Sequence, residues 1–167
     1  MKDSLFTEDF SFCIIELLKW EKVGVLMLFG SYDHQLDNKN RLVIPSKFLP
    51  ELSDKLYILK GFDGCLAIYP EESFKTLVSK LEAKDFNLSK ERENIRLALS
   101  SVFCIEIDKV NRVVIPTTLA KKYHISQSVK VVGVIDHFEV WSIDKWEDYS
   151  QKAEEHYEDN AEKSHHE

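Results

Sequence analysis

The chain has 167 residues, 44% hydrophobic and 31% charged, with a formal net charge of −7. That is the balance of a folded globular chain, one ordinary domain or two small ones around a shared core, and its acidity excludes adhesion to nucleic acid by bulk charge. No apolar run is long enough to span a bilayer, and the three cysteines (Cys13, Cys65 and Cys104), with no CxxC spacing, fit a reducing cytoplasm better than a disulfide scaffold or zinc ribbon.

Residues 1–26 match poorly with the rest of the chain. Residues 10–20 are apolar enough for a short helix, but they lack a basic leading region and a small-residue cleavage site, so they make a poor signal peptide. The folded unit is expected to start near Met27, with 1–26 an extension or the product of an upstream start. From Gly30, Tyr32, His34 and Leu36 alternate with polar residues, the period of a half-buried strand. Residues 37–40 are Asx-rich and predict a turn; 41–44 predict a second strand that Pro45 ends, and 46–49 a short helical turn. Strands at 56–59 and 65–69 are joined by Gly61-Phe62-Asp63-Gly64, a loop with the glycines a tight hairpin needs. Pro70 opens a helix carrying Phe74, Leu77, Val78 and Leu81 at helical spacing, and residues 89–100 predict another. Strands at 102–107 and 112–115 flank a second turn. A short helix at 117–123 comes next, with Thr117 or Thr118 as its cap. Strands at 129–134 and 138–141, around a turn at Asp136 and His137, and a helix at 144–155 complete the pattern. The tail from 158 has too few apolar residues to pack and is expected to fray.

The chain writes one polar turn twice. Asp37-Asn38-Lys39-Asn40-Arg41 runs into Leu-Val-Ile-Pro45, and Asp108-Lys109-Val110-Asn111-Arg112 runs into Val-Val-Ile-Pro116, displaced by 71 residues. Downstream, Gly61 matches Gly133, residues 66–69 match 138–141, and Phe74 matches Trp146, at a displacement of 72. Such self-similarity means one supersecondary unit built twice, each reading strand, turn, strand, short helix, strand, turn, strand, helix. In the turn, the Asp can cap its own loop through backbone N–H groups. The Arg then either closes an internal salt bridge, a surface pair of small energy, or points outward with Lys39 and Asn38. A guanidinium reads phosphate or a guanine edge with two parallel hydrogen bonds, Asn can pair with adenine, and Lys holds phosphate.

With Met27-Leu-Phe-Gly30, these doubled motifs resemble the MraZ family, over residues 27 to about 149. The resemblance implies an α+β, mainly β fold of tandem swapped-hairpin (AbrB-like) β-barrel units with flanking helices and a pseudo-twofold internal repeat. The expected organisation is an extension (1–26), a first repeat with its helix (27–81), a connecting helix (82–101), a second repeat with its helix (102–155) and an acidic tail (156–167). The resemblance further implies a sequence-specific transcriptional regulator of the division and cell-wall gene cluster, cytoplasmic and nucleoid-associated. It would act as a ring-shaped homo-oligomer on short repeated elements of double-stranded DNA, without cofactor, metal, membrane or small-molecule substrate. The family's DNA-contacting arginine falls on Arg41 and Arg112, with Asn38, Lys39 and Lys109 beside them and Asp37 and Asp108 structuring the loops. Where the family's first turn often has Gly before the Arg, this chain has Asn40, and Asn111 in the second; Asn tolerates positive φ better than other non-Gly residues.

Acidity need not oppose such a role. Residues 144–167 hold nine acids and three lysines, a net of −6, leaving the rest near −1, so a near-neutral body can carry a basic face. None of the six histidines forms a zinc-ligand pattern. Cys65 and Cys104 are expected to pack as small hydrophobes, Trp141 and Trp146 to serve core or subunit interface, and Arg92 and Arg96 to sit on a solvated helix face. Two rival functions remain: a phosphoester hydrolase using Asp37 and Asp108 as acid–base carboxylates, though without nucleophile elbow, P-loop or metal cluster, and a non-enzymatic scaffold binding protein partners through sheet edges.

Overall fold

The computed structural model describes residues 27–157. The expected extension at 1–26 and the tail from 158 lie outside them. The first repeat contains β1 (Leu28–Gln35), β2 (Arg41–Val43), a 3-10 turn (Leu49–Glu51), β3 (Lys55–Lys60), β4 (Leu66–Pro70) and α1 (Glu71–Glu82). Helix α2 (Ser89–Leu99) leads to the second: β5 (Phe103–Glu106), β6 (Arg112–Val114), α3 (Thr117–Lys122), β7 (Ser128–Ile135), β8 (Phe138–Ser142) and α4 (Ile143–Glu155). The order of elements is the one the two copies of the sequence pattern predict. Strand β1 begins two residues earlier than Gly30, because Leu28 is fully buried and pairs with Ile135.

The strands form a six-stranded antiparallel sheet, β1-β7-β8-β4-β3-β5, and a separate two-stranded ribbon, β2-β6. The order reads the same from either end when each strand is exchanged for its counterpart in the other repeat. β1 of the first repeat pairs with β7 of the second, and β5 of the second pairs with β3 of the first. Each repeat thus lends its first strand to the other, a swapped-hairpin arrangement about a pseudo-twofold axis. The register places that axis through the Leu42–Val113 pair of the ribbon and the Ala67–Glu139 pair of the sheet.

Alternation along the strands builds three layers. On the inner face of the sheet, Leu56, Ile58, Leu66, Ile68, Val129, Val131, Phe138 and Val140 pack against Leu42, Ile44, Val113 and Ile115 from the ribbon and the residues just after it. Each such side chain contributes about 1.5–3 kcal/mol when fully buried. Phe48 meets Tyr32 edge-on at 5.4 Å and Phe138 at 5.5 Å. On the outer face, Tyr57 of β3 stacks on Phe74 of α1 at 4.2 Å. Trp141 of β8 lies 5.5 Å from Trp146 and 4.9 Å from Tyr149 of α4, so α4 makes it core. The helices α1 and α4 therefore lie behind the sheet and the ribbon lies in front of it.

Tight spots are set by glycine and Asx residues. At Gly133 a Cβ would stand 2.5 Å from the Phe29 amide nitrogen, so only hydrogen permits the close passage of β1 over β7. The 61–64 loop closes by Gly61 N–H donating to the Cys65 carbonyl at 3.0 Å, with Asp63 and Gly64 at positive φ.

Three expectations are corrected. Cys104 is exposed, unlike the fully buried Cys65. It sits on the edge strand β5, where the outer layer covers its partner Tyr57 but stops short of it. Neither Thr117 nor Thr118 caps α3. Pro116 occupies the N-cap position without a side-chain cap bond, and the Thr117 hydroxyl instead accepts from Asn40 Nδ2 at 3.3 Å. Arg92 is not simply solvated: its Nη1 donates to the Phe86 and Asn87 carbonyls at 3.0 and 2.7 Å, tying down the loop before α2, while Arg96 lies over the Phe86 ring at 5.7 Å.

Candidate functional site

The two repeated turns fold alike in their backbone and Nε contacts, and Arg112 adds its Nη2 at 2.8 Å from Asp108 Oδ2. Asp37 Oδ1 accepts the amide N–H of Lys39 at 2.9 Å and of Arg41 at 3.0 Å. Asp108 Oδ1 accepts those of Val110 at 3.0 Å and Arg112 at 2.9 Å. The second carboxylate oxygen takes the arginine Nε, at 2.5 Å from Arg41 and 2.8 Å from Arg112. The backbone closes each loop, with Asn40 N–H donating to the Asp37 carbonyl and Asn111 N–H to the Asp108 carbonyl, both at 3.0 Å. The loops require a left-handed residue just before the arginine, and Asn40 (φ 55) and Asn111 (φ 61) supply it. Asn is among the few side chains that enter this region at small cost.

These contacts hold the carboxylates ionised. Asp37 is drawn down to about 2, first by the Arg41 amide, then by the Arg41 guanidinium and the Lys39 amide. Asp108 is also lowered: lost hydration pushes it up, but the Arg112 side chain and the Arg112 and Val110 amides outweigh that. Carboxylates so committed to their own loops are poor proton shuttles near neutral pH, which argues against the hydrolase reading.

The sequence left open whether each arginine closes an ion pair or points outward. The geometry combines the two. Aspartate holds the Nε side, while 30% of the Arg41 and 29% of the Arg112 side-chain surface stays exposed. The fork is thus aimed by its partner, with donor edge left over for a ligand. Alternation along the ribbon buries Leu42 and Val113 and turns Arg41, Val43, Arg112 and Val114 to one outward face. Arg41 is opposite Val114 and Arg112 opposite Val43. The arginines are therefore diagonal neighbours, rooted about 7–8 Å apart.

Because β2 and β6 are antiparallel, the loops stand at opposite ends of the ribbon. Each is braced by the other repeat: Ile115 N–H donates to the Asn40 carbonyl and Ile44 N–H to the Asn111 carbonyl, both at 2.9 Å. Asn38, Lys39 and Lys109 project as exposed loop tips. The segments forming this front layer, residues 36–52 and 107–127, carry seven basic side chains and three acidic ones. Their net of +4 contrasts with −7 for the chain, and the acids of α4 lie behind the sheet. The front layer is thus locally basic although the chain as a whole is acidic.

All seven residues singled out in the sequence thus belong to one ribbon and its two ends. Sequence reasoning missed Val43, Val114 and Val110, which are 45%, 51% and 57% exposed. For Val43 and Val114 the signal was available in the three-residue strands, where a buried middle residue forces both its neighbours outward; for Val110 it lay only in the place it shares with Lys39 in the repeated turn. It also missed the Asn40–Thr117 bond, which joins residues 77 apart.

Fold and site together define a two-unit swapped-hairpin domain that displays paired, aspartate-aimed arginine loops on a basic ribbon. The chain belongs to the MraZ family: the family model described as "MraZ protein, putative antitoxin-like" matches residues 27–97 and again 99–166. It is 40% identical over 137 residues to a Clostridium tetani protein named Transcriptional regulator MraZ, covering 82% of this chain and 96% of that one. Proteins of the same name from Ligilactobacillus salivarius and Moorella thermoacetica are 38% and 36% identical, covering 81% and 82% of this chain and 95% and 96% of theirs.

Proposed function

We propose that the protein is a transcription regulator that binds double-stranded DNA in a sequence-specific way, with the β2–β6 ribbon laid in the major groove. A major groove about 12 Å wide admits a two-stranded ribbon. The observation that carries this reading is the pair of matched loops, each aiming a part-exposed guanidinium from one face of one ribbon. Arg41 and Arg112 read base edges, Asn38, Lys39 and Lys109 contact base or phosphate at the tips, and Asp37 and Asp108 hold the loops. The relatives' name, Transcriptional regulator MraZ, supports the same class of function.

One ribbon offers few contacts and binds weakly. Self-assembly into a ring would present several ribbons to several short repeated elements, and avidity converts weak grips into a firm one. The targets are such repeats upstream of the division and cell-wall gene cluster, read by a cytoplasmic, nucleoid-associated homo-oligomer without cofactor. The front layer's local charge makes binding fall steeply with salt. A gel-shift titration on the gene's own upstream region tests this, with light scattering to count subunits. Binding competed by the specific duplex and not by random DNA is expected. Equal competition by both would refute sequence-specific binding, and a monomer at working concentrations would refute the ring.

A further inference from the structure

The two ends of the ribbon are built alike but tipped differently. At the position where the first loop has Lys39, the second has Val110, both exposed. Val110 donates its amide to Asp108 at 3.0 Å as Lys39 does to Asp37 at 2.9 Å, so the exchange alters the side chain on an unchanged loop. Between the tips, Val43 and Val114 add two further exposed β-branched side chains beside the arginines. Among the described residues the core does not include these valines; it is reached by Leu42 and Val113 on the opposite side. An apolar strip on a face otherwise studded with cations fits a partner that is anionic outside and has methyl groups within. The major groove is such a surface, where thymine offers a C5-methyl among the hydrogen-bonding edges.

Resting on the DNA-binding reading above, we propose that Val110 is a specificity-determining residue that packs on a thymine methyl, with Val43 and Val114 completing an apolar reading strip. The Lys39/Val110 difference then gives each subunit a direction on its element. The pseudo-twofold scaffold presents one tip bearing Asn38 and Lys39 and one bearing Lys109 and Val110, so the half-site under each end differs. The strand rise of about 3.4 Å per residue sets Arg41 and Arg112 about 7 Å apart along the ribbon, near two base steps. Val110 lies beyond Arg112, so its thymine flanks the base pair that Arg112 reads.

The test uses the full chain. A random duplex library is selected by the protein, one copy of the enriched element is synthesised, and each thymine is replaced singly by deoxyuridine, which deletes only the methyl. Fluorescence anisotropy at one salt concentration gives the affinities. One uracil position should weaken binding about fourfold, the effect of one buried methyl group. Val110→Ala and Val110→Asn should weaken binding to the thymine duplex and abolish the difference between thymine and uracil at that position alone. At an exposed tip neither change threatens the fold, and a thermal melt confirms it. An enriched element without thymine, indifference to every uracil, or full discrimination retained by Val110→Ala overturns the inference while leaving DNA binding intact. A chain that enriches no sequence overturns both.

Discussion

Arg41→Lys separates the two roles that an arginine on this ribbon can have. The change keeps the positive charge, and so keeps what a phosphate feels, but removes the planar fork and the Nε–H that Asp37 holds at 2.5 Å. If Arg41 reads a base edge with the donors that Asp37 leaves over, losing the bidentate contact costs about 1–3 kcal/mol of discrimination, or about 5- to 150-fold in affinity for a single element. Non-specific affinity and the slope of log K against log salt should stay as in the native chain, because that slope counts neutralised phosphates. Arg41→Ala should lose the specific affinity as well. Neither change should unfold the protein, since the Asp37–Arg41 pair lies at the surface, outside the core. The assay is anisotropy on a one-element duplex and on a scrambled duplex across a salt series, with Arg112→Lys in parallel. A fall in both affinities together in Arg41→Ala, with a shallower slope, while Arg41→Lys binds as the native chain does, would make Arg41 a phosphate anchor. Full specific affinity in Arg41→Ala at moderate salt would refute the assignment of this face altogether.

Local geometry sets three further outcomes. Asn111→Val puts a β-branched residue at φ 61 and should lower unfolding free energy by about 1–2 kcal/mol in urea titrations, whereas Asn111→Gly should be nearly neutral. Gly133→Ala drives a Cβ to 2.5 Å from the Phe29 nitrogen and should cost about 1–3 kcal/mol, read as an earlier urea midpoint with an unchanged slope. The pH dependence turns on His137, whose value is raised above 6.5: burial pushes it down, but the carboxylates of Glu139 and Asp136, 3.7 and 2.7 Å from its ring nitrogens, prevail. Its folded value lies above its unfolded one, so its contribution is full below 6.5 and is lost as pH rises through the folded value. The native chain's advantage over His137→Gln in unfolding free energy should therefore be larger at acid pH than at alkaline pH.

How much of this was legible in the sequence depends on the range of the interaction. The turns were, because their chemistry is local: an Asp that bonds amides two and four residues on, and an Asn that can turn left-handed, sit within five residues of each other. The strands and helices were legible from their periods, Tyr32 to Leu36 and Phe74 to Leu81 among them. The exchange of strands was not derivable from pattern, since the alternation of β1 suits pairing with β3 or with β7 equally and came only with the family resemblance. What selects β7 is a fit such as Gly133 beneath the backbone of Phe29, which exists only after folding. The same holds for Cys104, whose exposure depends on where the outer layer ends.

The exchange also explains why the two loops act as a unit. Had each repeat closed on itself, two arginines 71 residues apart in sequence would face wherever a linker left them. Instead β2 and β6 hydrogen-bond to each other across the axis, and the buried Leu42–Val113 pair pins their register. Sliding that ribbon by one residue would turn Leu42 outward and an arginine into the core, with a charge burial that no local contact could offset. The hydrophobic core thus fixes the spacing and direction of the two guanidiniums, and selection on the core is at the same time selection on the geometry of the reading face. Divergence was left to the tips, where Lys39 and Val110 can differ without disturbing either loop.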